Sequence, residues 1–332
     1  MTAQSPQMTT SADSSVLSNQ ATHPASIAVC VYTEERLPTL RCAIAAVQSQ
    51  MGSEDELVVV VDHNDQLLER CRAELRDCRV IPNCHRRGLS GSRNTAIDDA
   101  NGSIVIFIDD DAVPRSGWLE GLRAPYADAR VYGVGGLTMP RWLGVKPRWF
   151  PEEFLWVVGC SHLGLPPDRH HIRNLTGANM SFRRDICQDL GGFAESMGRV
   201  GERLRGCEET EFSIRLSQAN PSAVLLYDPA AQVDHFLALE RSSIAYFARR
   251  CWGEGISKAE VSRRVGRSSA LSSERHYASR VLTRGLWHGA RDTARGDLWG
   301  AARSIVILLG LAVTSAGYCA GSVSLAIRQP SS

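Results

Sequence analysis

The sequence predicts an α/β fold: a mostly parallel central sheet with helices on both faces, extended by a helical C-terminal region. Three observations carry this. Short unbroken apolar runs at Ile27–Tyr32, Glu56–Val61 and Ser103–Ile108 have the length and composition of strands buried on both faces. Segments of helical periodicity separate them, and strands alternating with such helices imply parallel pairing through crossovers. At 332 residues, 43% hydrophobic and 22% charged, the chain has ordinary globular composition and room for one large domain with an appendage.

Taken in order, residues 1–25 are polar, rich in Ser, Thr and Gln, and carry no apolar core. That composition predicts a disordered tail and no export signal. After the first strand, Leu37, Leu40, Ile44 and Val47 recur at helical spacing as far as Gln50. The second strand runs into Asp62. A helix over Gln66–Arg76, a short strand at Arg79–Ile81 and a helix over Leu89–Ala100, closed by Asn101-Gly102, follow. The third strand runs directly into Asp109-Asp110-Asp111. Ligands of open α/β sheets bind beyond the carboxyl ends of the strands, so Asp62 and the aspartate triplet share one rim.

Formal net charge is +1, but Phe236–Ser332 carries 14 Lys/Arg against 6 Asp/Glu, an excess of +8 that leaves about −7 on the preceding residues. The ten cysteines include no CxxC pair, which removes zinc-type spacing, and many free thiols point to a reducing cytoplasm. Neither GxGxxG nor GxxxxGK[ST] follows a strand, so a dinucleotide-binding domain and a P-loop are disfavoured. No nucleic-acid partner is expected. Ser304–Ile327 holds no charged residue over 24 positions, enough to cross a bilayer, but Gly310, Gly317, Gly321 and several serines dilute it. A membrane segment and a buried or interfacial helical hairpin both fit.

Three adjacent carboxylates repel one another and need a counter-charge. A divalent cation, Mn²⁺ or Mg²⁺, bound together with a diphosphate supplies it, because hard cations take carboxylate and phosphate oxygens. A solvated acidic turn is the bland alternative. The order of landmarks resembles the inverting glycosyltransferases of family 2, which have the GT-A fold. They are VYTEERLPTLRCAIAAVQSQ, VVVVDHND, RRGLSGSRNTAIDDANGSIVIFIDDDAVP, GANMSFRRDICQDLGGF and CEETEFSIRL, and the resemblance runs from Ile27 to about Lys258.

The resemblance implies that Asp62 binds the nucleotide base and that Asp109 and Asp111 form the DxD element. Asp111 is then the direct metal ligand, with Asp109 and Asp110 nearer the ribose and sugar. It places the general base at Glu209 and its neighbour at Glu208, where the family usually has Glu-Asp. Glu211 reads instead as a helix partner of Arg215 at i+4. His235 is implied to complete the metal site or contact the diphosphate, and Arg249 and Arg250 to sit on a segment closing over it. Asn179 and Arg93 are implied to face the donor. The aromatics Trp142, Trp149, Phe150, Phe154 and Trp156 suit either sugar stacking or, more commonly, a core.

The organisation expected is a tail over 1–25, a GT-A domain over 26–258, and a basic helical extension over 259–332 with a marginal membrane segment at 304–327. The activity expected is transfer from a nucleotide sugar to a glycan, lipid-linked or small-molecule acceptor, in the cytoplasm and at the inner face of its membrane. A polyprenyl-phosphate sugar synthase and a non-catalytic sugar-binding scaffold are the alternatives; retention of Asp62, Asp109, Asp111 and Glu209 together argues against the scaffold.

Overall fold

The computed structural model describes residues 23–201 and 205–327; the expected N-terminal tail lies almost wholly outside them. The strands are β1 (Ala25–Val31), β2 (Glu56–Val61), β3 (Arg79–Pro82), β4 (Ile104–Asp109), β5 (Ala112–Pro114), β6 (Val131–Trp142), β7 (His170–His171), β8 (Asn179–Arg183) and β9 (Val224–Leu237). They form one sheet in the order β3-β2-β1-β4-β8-β6-β9-β5, with β7 also on β9. β3, β2, β1 and β4 are parallel, and the inner three, β2, β1 and β4, are the apolar runs of the sequence. β8 inserts antiparallel between β4 and β6, and β6 and β9 then pair in parallel.

Helices α1 (Leu37–Gln48), α2 (Asp65–Glu74), α3 (Leu89–Asp99), α4 (Trp118–Arg123), α5 (Arg184–Asp189) and α6 (Glu208–Ala219) cover the two faces. On one face Val29, Val59 and Ile106 bury against Leu40, Ile44, Leu67 and Trp118. On the other, Val58, Val60 and Phe107 meet Ile97, Phe193 and Phe212. Alternate strand residues thus feed two cores, which is why the strands read as continuous apolar runs.

Beyond β9 come α7 (Ile244–Val265), α8 (Arg267–Ala270), α9 (Ser272–His276), a π-helical turn at Tyr277–Leu282, α10 (Thr283–Ala294) and α11 (Trp299–Ile327). The expected boundary at residue 258 falls inside α7, which runs through it unbroken. Phe150, Phe154, Phe247, Cys251, Val306 and Ile307 share one buried cluster, so the C-terminal helices close a core with the aromatic segment before β7. Trp142 and Trp149 pack against that cluster.

Candidate active site

The carboxyl ends of β1, β2 and β4 open into a cavity of about 650 Å³. Tyr32, Arg36, Asp62, Asp109 and Asp110 line its sheet side, and Glu208, Glu209 and Arg250 line its helical side. Asp62 follows β2 and shapes the wall beside it. Its carboxylate accepts hydrogen bonds from Asn83 Nδ2 at 2.8 Å and from the Gly88 backbone N–H at 3.0 Å, which fixes the loop leading into α3.

The triplet after β4 divides its work. The Asp109 side chain is the most open of the three, about 30% exposed, with Arg93 Nη2 at 3.7 Å. Asp110 points inward and pairs with Arg36; its Oδ2 is buried without a hydrogen-bond partner. Burial pushes the Asp110 carboxyl up to about 7 although Arg36 opposes it. Asp111 lies just beneath the cavity wall. It accepts from His235 Nε2 at 2.8 Å and Arg241 Nη2 at 2.9 Å, with Arg36 Nη1 at 3.0 Å. Burial would raise this carboxyl, but the charges of His235 and Arg241 override it and hold it well below the carboxylate range. Burial likewise disfavours protonated His235, yet Asp111 raises its imidazole to about 10.

Oxygen or nitrogen atoms of Asp109, Asp111 and His235 lie within 4.8 Å of one another, a donor set that suits a divalent cation. β5 and β9 bring this about, since Ala112 and His235 are register partners in that antiparallel pair. Behind His235, the Cys160 Sγ lies 3.5 Å from Nδ1. Gly159, in the left-handed region at φ 81°, leaves room for the ring, because a Cβ there would come within 2.8 Å of Cε1.

Across the cavity, α6 opens with the acidic pair. Cys207 caps it with a left-handed backbone at φ 67°. Arg93, at 2% exposure, donates to Glu208 Oε1 at 2.7 Å and to the Gly177 carbonyl at 3.0 Å. The Phe107 and Phe193 rings lie 5.8 and 5.5 Å from its guanidinium carbon. Glu208 is thereby committed to a buried ion pair. Glu209 is half-buried, lines the cavity and accepts from the neighbouring Thr210 hydroxyl at 3.2 Å. Burial, reinforced by the Glu208 charge, pushes its carboxyl up to about 8. Glu211 pairs with Arg215 at 3.0 Å, one helical turn on.

Of the other expected site residues, Asn179 and Arg249 stand outside the cavity. Asn179 is fully buried: its Oδ1 accepts from Trp118 Nε1 at 2.8 Å and its Nδ2 donates to the Ala231 carbonyl at 2.9 Å. Its amide ties β8 to α4 and β9 and is not among the groups lining the cavity. Arg249 is exposed and outside the cavity, whereas the next residue, Arg250, lines it 3.7 Å from Glu254. Of the aromatics, Phe154 and Trp156 reach the cavity, and the Trp156 indole is spent on the Tyr277 hydroxyl at 3.0 Å. Sequence reasoning missed Arg36 and Arg241; Arg36 stood in plain view after β1, but its partners lie 74 and 75 positions away.

A metal-suited acidic rim on the parallel half of a GT-A sheet, facing a second acidic pair across one cavity, defines a nucleotide-sugar-dependent glycosyltransferase. Comparison with known proteins agrees: the glycosyl transferase family 2 model matches residues 26–191, and the chain belongs to that family. It is 33% identical over 237 residues to the glucosyl-dolichyl phosphate glucuronosyltransferase of Haloferax volcanii, covering 70% of this chain and 75% of that one. It is 27% identical to the succinoglycan biosynthesis protein ExoM of Rhizobium meliloti, covering 69% of this chain and 72% of that one. Among solved structures, the mannosyltransferase PcManGT of Pyrobaculum calidifontis, in complex with GDP-Man and Mn²⁺, shares the fold with a TM-score of 0.54 at 18% identity. That match covers 94% of this chain and 82% of that one. GalNAc-T7, solved with UDP, GalNAc and Mn²⁺, gives 0.52 at 17% identity over 72% of this chain and 48% of that one.

Proposed function

We propose that this glycosyltransferase moves a sugar, with inversion, from a nucleotide-diphosphate donor on the strand rim to a lipid-linked acceptor, with Glu209 as general base. The observation that carries this is the pairing of two unlike acidic centres on one cavity. Asp109, Asp111 and His235 would hold a divalent cation, which neutralises charge on the departing diphosphate. Asp62 and the loop it fixes form the wall for the nucleotide. Arg36 and Arg241 bring positive charge to the same side, and guanidinium groups suit phosphate oxygens.

Glu209 takes the proton from the acceptor hydroxyl as that oxygen bonds to the anomeric carbon. The bond from that carbon to the diphosphate oxygen breaks, and the nucleoside diphosphate leaves. Arg93 holds Glu208 and, through it, the start of α6 in place; it supports the reaction rather than touching the donor.

Two things support a lipid-linked acceptor. The relative from Haloferax volcanii is named for one, and the cavity is bounded by Leu311 and Thr314 of the apolar helix α11. The test is a panel of nucleotide sugars with Mn²⁺, offered with a polyprenyl-phosphate-linked sugar or with the same sugar free. We expect transfer to the lipid-linked form and an inverted anomer by NMR of fresh product. Equal transfer to the free sugar removes the acceptor assignment, and a retained anomer removes the mechanism.

A further inference from the structure

Where α11 packs decides how it can meet a membrane. Its glycine edge lies directly on α7: a Cβ at Gly317 would stand 2.4 Å from the Trp252 carbonyl oxygen, and one at Gly255 2.1 Å from that of Thr314. Further along, the Tyr318 hydroxyl lies 3.3 Å from Ser262 Oγ. Phe247 meets Gly310, Trp252 meets Gly317 and Ala259 meets Gly321, so the two helices run side by side in the same direction. α7 carries seven charged residues between Arg249 and Arg264. An α11 that crossed a bilayer while docked would carry that charge into the hydrocarbon, which charged side chains avoid. An α11 that left α7 would strip Val306 and Ile307 from the aromatic core.

The opposite edge is built differently. Ile305, Leu308, Leu309, Val323 and Ile327 are exposed, and no charge interrupts Ser304–Ile327. At the end nearest α10, the exposed indoles of Trp287 and Trp299 lie 5.3 and 5.4 Å from the guanidinium carbons of Arg291 and Arg148. Exposed indoles beside arginines suit a headgroup boundary, and the +8 excess of the C-terminal region favours an anionic surface.

We propose that α11 lies flat in the boundary layer of an anionic membrane as a one-sided anchor, and that the cavity receives its acceptor from that same surface. Leu311 joins the two: it is 41% exposed on α11 and also lines the cavity. This rests on the lipid-linked acceptor reading. A lipid whose head reaches Glu209 then keeps its tail beside α11 in the layer where the helix lies.

The test uses the full chain with a tag after Ser332, expressed in bacteria and recovered in inverted inner-membrane vesicles. The tag should remain open to external protease, and alkaline carbonate should release the protein. Purified protein should float with phosphatidylglycerol-containing vesicles at least tenfold better than with phosphatidylcholine alone. The double variant Leu308→Glu, Leu309→Glu should lose that flotation while keeping wild-type circular dichroism and Mn²⁺-dependent donor hydrolysis in detergent. A protected tag that resists carbonate overturns the proposal in favour of a spanning helix. No flotation, with light scattering showing a dimer, overturns it in favour of a second copy on the apolar edge. The wild-type arms stand if the double variant misfolds. Donor hydrolysis reads the reaction centre separately, so failure of the anchor and failure of the enzymatic reading give different results.

Discussion

Asp111 and Glu209 share a cavity but sit in opposite fields. Around Asp111 the fold gathers Arg36, His235 and Arg241, and the carboxylate stays ionised well below its ordinary range. Around Glu209 it places a second carboxylate whose cation, Arg93, is already engaged, and the carboxyl rises to about 8. Burial alone would push both upward; the neighbours decide the outcome. A permanently charged group suits a cation and a diphosphate. A group poised near neutrality suits proton transfer.

The comparison breaks first at Asp111. Asp111→Asn should abolish Mn²⁺ binding measured by calorimetry and reduce transfer below detection, because the ligand charge is lost while Arg36 and Arg241 remain beside it. Mn²⁺ binding at wild-type affinity in that variant would remove Asp111 from the metal site. Next comes Glu209→Gln, expected to keep donor affinity and lose about 10²–10⁴-fold in transfer rate.

The same residue sets a pH limb. Glu209 works as a base only when deprotonated, so transfer should climb about tenfold per pH unit below about 8 and level off above it. The limb should vanish in Glu209→Gln. A profile unchanged by that substitution assigns the titration elsewhere.

Glu208→Gln sharpens the contrast, since its chief effect should be on stability. It leaves Arg93 buried beside a neutral amide, and breaking a buried pair typically destabilises by about 3–5 kcal/mol, an upper range here because the amide can still accept a hydrogen bond. Urea denaturation measures it. A full-stability Glu208→Gln that has lost transfer, beside an active Glu209→Gln, would exchange the two roles. The smallest effect belongs to Arg249→Ala, expected within about twofold of wild type in donor affinity and rate, as exposed positions away from a site usually are.

The rim was legible because its chemistry is written next to its structure. A buried strand followed at once by Asp62 or by Asp109–Asp111 fixes both the residue and its place. Glu208 and Glu209 were singled out by the resemblance alone; the fold sets them at the opening of α6, on the cavity. Arg241 carried no comparable signal, since its role exists only once β9 returns beside β5 and delivers it to Asp111. Asn179, which the resemblance implies to face the donor, has its amide bonded to the Trp118 indole and the Ala231 carbonyl, partners that only the folded sheet brings to it. Arg249 and Arg250 read as one basic unit, yet adjacent helical positions point about 100° apart and only one can face the cavity. The register of α11 on α7 depends on backbones touching through Gly255 and Gly317, which spacing within either segment alone does not reveal.

Cys207 places a conflict at the threshold of α6. A left-handed backbone is unfavourable for any side chain by about 1–2 kcal/mol, and glycine would relieve it. Glycine would also remove the thiol that lies 3.2 Å from Glu254 and loosen the turn that aims both glutamates. Laboratory evolution selected on heat tolerance would therefore drift toward glycine at this position, while selection on turnover would hold the cysteine. The two screens, run on one library, should part company at this one position.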